Sequence, residues 1–219
     1  MEPHTDTFQK CLSDGAEALG LSLAGDQIER FSRHRELILR WGEKMNLTTI
    51  KDPEGMAEKL FLDSAMLSLA IARGASVCDV GSGAGFPGLV LLSIDPTLRL
   101  TMLEARRKKV SFLESALRML SLSAEVRWER LGWTERPLPT FDEVVSRATF
   151  PPEEWLRLGA PLVKPAGRIW VMLGPSEEAE EGKNDFSPPA GFSLAQRIEY
   201  RLPRTDSRRR LVSFQRSPS

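Results

Sequence analysis

Residues 77–88, Val-Cys-Asp-Val-Gly-Ser-Gly-Ala-Gly-Phe-Pro-Gly, leave few folds open to this chain. An apolar run ends at Asp79, three alternating glycines follow (Gly81, Gly83, Gly85), and Pro87 opens a fresh apolar stretch. That order reads as a buried strand, a tight turn over which a ligand approaches bare backbone, and a helix start. The acid in front of the glycines narrows the ligand. A dinucleotide fold aims its glycine turn and helix N-terminus at a pyrophosphate, which a carboxylate would repel. A sulfonium cofactor with an amino-acid tail has no phosphate and carries positive groups, so Asp79 suits it. The embedded Gly83-x-Gly85-x-x-Gly88 also fits the dinucleotide pattern, a weak signal alone, and a purely structural turn stays open.

The flanking pattern supports a layered α/β architecture. Apolar strand candidates lie at 75–80, 99–104, 125–129, 141–146 and 168–173, with helix candidates at 87–94, 106–121 and 152–162 between them. Such alternation predicts a mostly parallel sheet with helices on both faces. Two further strands, 193–200 and 209–216, flank a Pro-Arg-Thr-Asp-Ser turn and suit an antiparallel hairpin at the sheet edge. Residues 174–191, acidic and rich in Pro and Gly, read as a loop or a mobile insertion. Upstream, Ile28, Phe31, His34, Ile38, Trp41 and Met45 form one stripe of a helix over 26–45. Asp52-Pro53 reads as N-cap and N1 of the next helix, which carries Met56, Leu60, Asp63 and Leu67 on one face. The expected division is a helical extension over 1–74 packed on a core domain over 75–219.

The formal net charge of zero excludes a uniformly basic nucleic-acid coat but leaves a local basic face open. Cys11 and Cys78 give neither a disulfide framework nor zinc spacing, and no metal site is expected. The polar N-terminus is unlike a signal peptide, and no apolar run approaches the ~20 residues of a membrane span. A cytoplasmic location without membrane attachment is expected.

With Trp41-Gly-Glu-Lys-Met-Asn46-Leu-Thr, Phe61-Leu-Asp63-Ser64, Asp79 to Gly88, Lys108-Lys109-Val-Ser-Phe112-Leu113 and Phe141-Asp142 leading to Ser146-Arg147-Ala148, the chain resembles the bacterial ribosomal RNA small subunit methyltransferase G family. The resemblance implies a Rossmann-like class I methyltransferase fold that uses S-adenosylmethionine. It also implies N7 methylation of a guanine in 16S ribosomal RNA, with that RNA or a small-subunit precursor as partner; a monomer is expected. The residues fit this chemistry by exclusion. Position 146–148 holds Ser-Arg-Ala, where exocyclic amino methylation often uses Asn/Asp-Pro-Pro-Tyr/Phe. Neither cysteine follows strand four or five, where attack through pyrimidine C5 would need a nucleophile. Guanine N7 has a free lone pair and needs no general base.

The expected cofactor residues are Asp79 and Glu104 as acceptors, Gly81, Gly83 and Phe86 as the near wall, and Arg147 completing the pocket. Glu104 ends the second strand about 20 residues beyond Gly83, where an acid meets ribose hydroxyls in either cofactor class. Gly132 and Trp133 stand where the family places an adenine-contacting small residue followed by an acid; Trp133 either stacks on adenine or is a core residue. The catalytic residue is left open between Arg147 and Asp63, and Asp63 either faces the pocket or caps a helix with Ser64. Asn46 either contacts RNA or ends its helix, and His34 reads as a core histidine. The Arg106–Lys109 cluster opens a helix, where cations oppose the dipole, so it either meets phosphate or forms a solvated face.

Three departures stand out: Lys59-Leu60 for Arg-His, Leu173 for a lysine before Gly174, and Arg209-Arg210 for Arg-His. They keep other readings in play: a paralogue with another RNA or small-molecule substrate, a nicotinamide dehydrogenase, or a non-catalytic RNA-binding assembly protein.

Overall fold

The protein is described here by a computed structural model covering residues 7–43, 45–132, 138–174 and 187–218. One seven-stranded sheet runs in the order β3-β2-β1-β4-β5-β7-β6. Its strands are β1 (Ser76–Val80), β2 (Arg99–Glu104), β3 (Glu125–Trp128), β4 (Phe141–Ser146), β5 (Val163–Leu173), β6 (Phe192–Arg201) and β7 (Arg208–Arg216). β1 to β5 pair in parallel, and β7 lies antiparallel between β5 and β6. The strand order reverses between β1 and β4, which opens a crevice at their C-terminal ends.

Every residue of β1 is buried, because both faces of the sheet are covered. Val77 packs into the core beneath the N-terminal helices, α5 (Gly88–Ile94) and α6 (Arg107–Leu120). Cys78 and Val80 point the other way, into a second core that includes Trp155 and Leu156 of α7 (Pro152–Gly159). The two-residue period of the strand therefore divides one apolar run between two cores.

α1 (Thr7–Ala18), α2 (Gly25–Gly42) and a helical stretch over 53–69 share the first core with the sheet. That stretch begins as α3 (Pro53–Met56), where the Asp52 carboxylate caps the Gly55 N–H at 2.6 Å as the sequence predicts. It widens to a π-helix over Ala57–Leu62, returns as α4 (Asp63–Ala65), and tightens to a 3-10 turn over Met66–Leu69. The π segment shifts the helical phase just before Asp63, a device common beside functional sites. Phe61 at its heart meets Phe8 and Phe86 edge-on at 5.1 and 5.0 Å, contacts worth roughly 0.5–1.5 kcal/mol each. His34 stacks on Phe86 at 5.2 Å. These rings tie α1, α2 and the π segment to the glycine turn.

Three elements differ from expectation. α1 was not anticipated, although Phe8, Leu12 and Ala16 repeat at helical spacing and are buried. α2 ends at Gly42, a poor helix former, rather than at Met45. β5 starts five residues before the apolar run, at Val163. Its register against β4 slips where Ala166 takes a φ of 61° and Gly167 passes so close to β4 that an added Cβ would lie 2.9 Å from the Asp142 carbonyl oxygen. Pro165 and Gly167 hide the strand from a period-two reading. No described helix is long and apolar enough to cross a membrane.

Candidate active site

The glycine turn follows β1 directly. Gly81, Gly83 and Gly85 all have left-handed φ values (75°, 56° and 88°), which only glycine adopts without strain. A side chain on Gly81 would meet Thr149 Oγ1 at 2.4 Å, so the loop after β4 lies against the turn. A side chain on Gly83 would begin 3.7 Å from the Lys109 ammonium, which α6 brings over the turn.

Asp79 is fully buried at the tip of β1. Its Oδ2 accepts the Gly88 N–H at 3.0 Å, while its Oδ1 is buried with no hydrogen-bond partner. Burial raises its carboxyl to about 7, against the opposing pull of the Gly88 N–H and Ser82. Glu104 ends β2 and accepts the Gly83 N–H through Oε2 (3.0 Å) and the Arg106 N–H through Oε1 (2.8 Å). Each of its oxygens keeps a lone pair for a further donor. Strand pairing sets Asp79 against Met102 and Val80 against Leu103, so both acids stand at the same rim of the sheet.

Phe86, expected at the near wall of the donor pocket, follows the last of the three turn glycines directly. It is 7% exposed, held between His34 and Phe61, with the Arg147 guanidinium 5.9 Å from its centroid. Phe86 thus braces the glycine turn from the aromatic core. His34 belongs to that brace. It is fully buried, hydrogen-bonded to the Ala84 carbonyl at 2.8 Å, and burial pulls its pKa down to about 4.

Across Arg147 the rim is built from side chains. Arg147 Nη2 donates to the Lys59 carbonyl and to Asp63 Oδ2 (3.1 Å). Asp63 Oδ1 accepts the Tyr200 hydroxyl at 2.8 Å and faces Arg209 Nε at 3.3 Å. Burial, reinforced by Asp63, raises the Tyr200 phenol, which stays protonated as a donor. Of the two readings of Asp63, the pocket-facing one matches the geometry, since Ser64 bonds the Leu60 carbonyl instead. Asp63, Arg147, Tyr200 and Arg209 line a cleft of about 230 Å³ with Phe150 and Leu173.

Sequence reasoning missed Tyr200 and the ion pair of Arg209. The hairpin that carries them is seated by Glu58, whose buried carboxylate accepts the Arg204 and Thr205 N–H groups at 2.6 and 3.0 Å. Two charged residues in an otherwise apolar register, Glu58 and Asp63, were the available signal.

Other expectations fall away from the cleft. Leu60, where the family has a polar residue, is core. Asn46 is exposed beyond the end of α2. Arg208 pairs with Glu199 and Arg201 with Asp206, as on a solvated face. Arg107 lies over the exposed ring of Trp128. Gly132 sits at a φ of 83° near Leu158 of α7. Trp133 and most of the acidic loop lie outside the described residues.

Comparison with known proteins agrees with this geometry. A family model described as rRNA small subunit methyltransferase G matches residues 27–202. A ribosomal RNA small subunit methyltransferase G from Anaeromyxobacter sp. (strain Fw109-5) is 36% identical, covering 98% of this chain and 99% of the relative. Its counterpart from Caldanaerobacter subterraneus subsp. tengcongensis is 38% identical, covering 92% and 87%. Among solved structures, the O-methyltransferase TomG from Streptomyces achromogenes, solved with S-adenosylmethionine, overlays with a TM-score of 0.59 at 16% identity, covering 96% of this chain and 99% of its own. TrmN from Thermus thermophilus gives 0.53 at 22% identity, covering 71% and 48%. At those identities the likeness is one of fold, that of the class I S-adenosylmethionine-dependent methyltransferases.

Proposed function

The chain belongs to the rRNA small subunit methyltransferase G family, and from that premise we propose that it transfers a methyl group from S-adenosylmethionine to N7 of a guanine in 16S ribosomal RNA. The observation that carries the cofactor reading is the unpaired Asp79 Oδ1, a buried carboxylate oxygen beside a glycine turn. A buried oxygen of this kind calls for a cationic or N–H partner. The ammonium of an amino-acid tail supplies one, whereas a pyrophosphate would add negative charge beside Asp79 and Glu104. Glu104 keeps lone pairs for ribose hydroxyls, and the bare backbone of Gly81 and Gly83 leaves room for the tail.

When bound, S-adenosylmethionine supplies a methyl group activated by a positive sulfur. The chain's part is positioning. Asp79 and Glu104 hold the two ends of the donor, and Arg147 stands between donor turn and cleft, fixed by Asp63 and the Lys59 carbonyl. Asp63 is itself engaged through both oxygens, so it orients guanidinium groups rather than serving as a free base. Ring-nitrogen methylation asks for none, because the attacking lone pair carries no proton. Alignment of reacting groups can supply roughly 7–11 kcal/mol of a barrier. An RNA of the small ribosomal subunit as substrate implies work in the cytoplasm.

The test is transfer of labelled methyl onto small ribosomal subunits and their precursors, followed by nucleoside mass spectrometry. We expect 7-methylguanosine in 16S RNA. Label in another RNA or a small molecule would make the chain a divergent paralogue, and RNA binding without transfer would make it an assembly protein.

A further inference from the structure

The cleft beyond Arg147 takes no part in holding the donor. It opens at the C-terminal ends of β4 and β5, the side of Arg147 away from Asp79 and Glu104. Its wall toward the donor turn is the loop after β4, whose Thr149 packs on Gly81, so a molecule in the cleft adjoins a donor on the turn. One residue farther along, Phe150 lines the cleft half-buried. Its ring is stacked nearly parallel to Trp155 (10° between planes, centroids 6.1 Å apart). Trp155 is buried and pinned through its indole N–H to the Trp170 carbonyl at 2.7 Å. Phe150 is thus a ring with a rigid backing and a partly open surface. The lining also carries charge: one carboxylate, Asp63, lies between two guanidinium groups, Arg147 and Arg209, for a net charge of one positive.

We propose that this cleft receives the acceptor guanine out of its RNA stack, with the Phe150 ring against one face of the base and the Arg147–Asp63–Arg209–Tyr200 cluster at its edge. The inference rests on the methyl-transfer reading above and names the site at which that reaction selects its base. An enzyme that modifies a base must bring it out of the stack, and aromatic faces are the usual replacement for the lost stacking neighbours. The net positive edge matches guanine O6, an acceptor beside N7, so a donor there orients the base and leaves the N7 lone pair for the methyl group. Adenine presents an amino group there, which would point a donor at guanidinium groups that are themselves donors. Leu173, where the family has lysine, gives the cleft an apolar wall, so the two arginines supply its positive charge.

The experiment compares Phe150→Leu, Phe150→Tyr and wild type for methyl transfer to small ribosomal subunits, for S-adenosylhomocysteine affinity by calorimetry, and for melting temperature. Leucine keeps an apolar side chain against Trp155 but cannot stack. We expect kcat/KM for F150L to fall about 5- to 150-fold, the range that base–aromatic stacking spans on truncation. Affinity for S-adenosylhomocysteine should stay at its wild-type value, melting temperature should fall by no more than roughly 2–4 °C for the lost stack on Trp155, and F150Y should recover most of the activity. Wild-type kcat/KM in F150L would overturn the proposal, as would a loss matched by weakened S-adenosylhomocysteine binding, which would assign Phe150 to the donor side. A wild-type protein that moves no methyl to RNA would instead overturn the functional reading beneath it.

Discussion

On the β1–β2 side of Arg147 the site is made of backbone: three left-handed glycines, with Asp79 and Glu104 bonded to N–H groups of the turn they support. On the β4–β5 side it is made of side chains drawn from positions 63, 147, 150, 200 and 209. The first half keeps one buried carboxylate oxygen without a partner, whereas the second gives its buried carboxylate three donors. A half with an unpaired acid is poised for a cationic ligand. A half whose charges are already paired has a fixed shape and selects by fit. Donor and acceptor sides of a methyl transfer differ in this sense, since the donor brings charge and the acceptor a flat neutral ring.

Asp63→Asn should separate the halves most sharply. The substitution leaves two guanidinium groups, 20% and 12% exposed, without their shared countercharge, and turns an amide N–H toward one of them. Breaking a buried pair in this way costs about 3–5 kcal/mol. Chemical denaturation should show that loss, while the glycine turn, which Asp63 does not touch, remains as it was. A loss below about 1 kcal/mol would mean that the cluster is solvent-screened and not a fixed wall. Next in size is Gly81→Val. Here the left-handed φ and the clash with Thr149 combine, and strain plus overpacking should weaken S-adenosylhomocysteine binding on the order of 100-fold. Gly191→Ala, also at positive φ but with open space around it, is the control and should bind as wild type does.

The same contrast explains what could be read in advance. The donor half is local: strand, acid, glycines and helix start occupy residues 77–88, and Glu104 ends the neighbouring strand. The apolar run of β1 and the chemistry of glycine sufficed to read the strand and its turn, and the edge hairpin announced itself through its turn residues. That Phe86 is held between His34 and Phe61 could not be read locally, because those rings come from distant segments. The acceptor half is a product of tertiary structure. Tyr200 reaches Asp63 only because Glu58 seats the hairpin turn on the π-helical segment, a contact between residues 146 and 147 positions apart. Nothing in the local pattern of residues 199–201 marks the tyrosine. The family resemblance pointed to Asp63 and Arg147 but not to their partner.

Asp79→Asn probes the unpaired oxygen. Wild-type Asp79 has a folded-state carboxyl raised to about 7 from 3.8, so its contribution to stability is whole below pH 3.8 and is lost as pH climbs through 7. A raised value favours the protonated fold, and above pH 7 the buried charge is uncompensated. Asparagine stays neutral, keeps an acceptor for the Gly88 N–H, and should therefore melt higher than wild type at pH 8, by at most about 4 kcal/mol of stability, with the gap closing below pH 4. The same change removes the charge offered to the donor's ammonium, and S-adenosylhomocysteine affinity should fall about 10-fold or more, as for a hydrogen bond to a charged group. Unchanged affinity would mean that Asp79 serves the turn alone.

Tyr200→Phe should have the smallest effect and asks whether the acceptor half works as a unit. Only the hydroxyl goes, so the hairpin keeps its packing and Asp63 keeps both arginines. One hydrogen bond to a buried carboxylate oxygen at 2.8 Å disappears, worth about 0.5–1.5 kcal/mol for a typical bond and up to ~3 for a charged partner. Arg209, 3.3 Å from the same oxygen, can draw closer and recover part of that, which puts the expected loss near 1 kcal/mol by denaturation. The kinetic signature is more telling than the energy. If the cluster positions the base, Y200F should raise KM for small ribosomal subunits a few-fold and leave S-adenosylhomocysteine affinity untouched. A change in cofactor affinity of equal size would mean that Arg147 transmits the loss across the rim, and that the two halves are one coupled network rather than two walls meeting at a shared arginine.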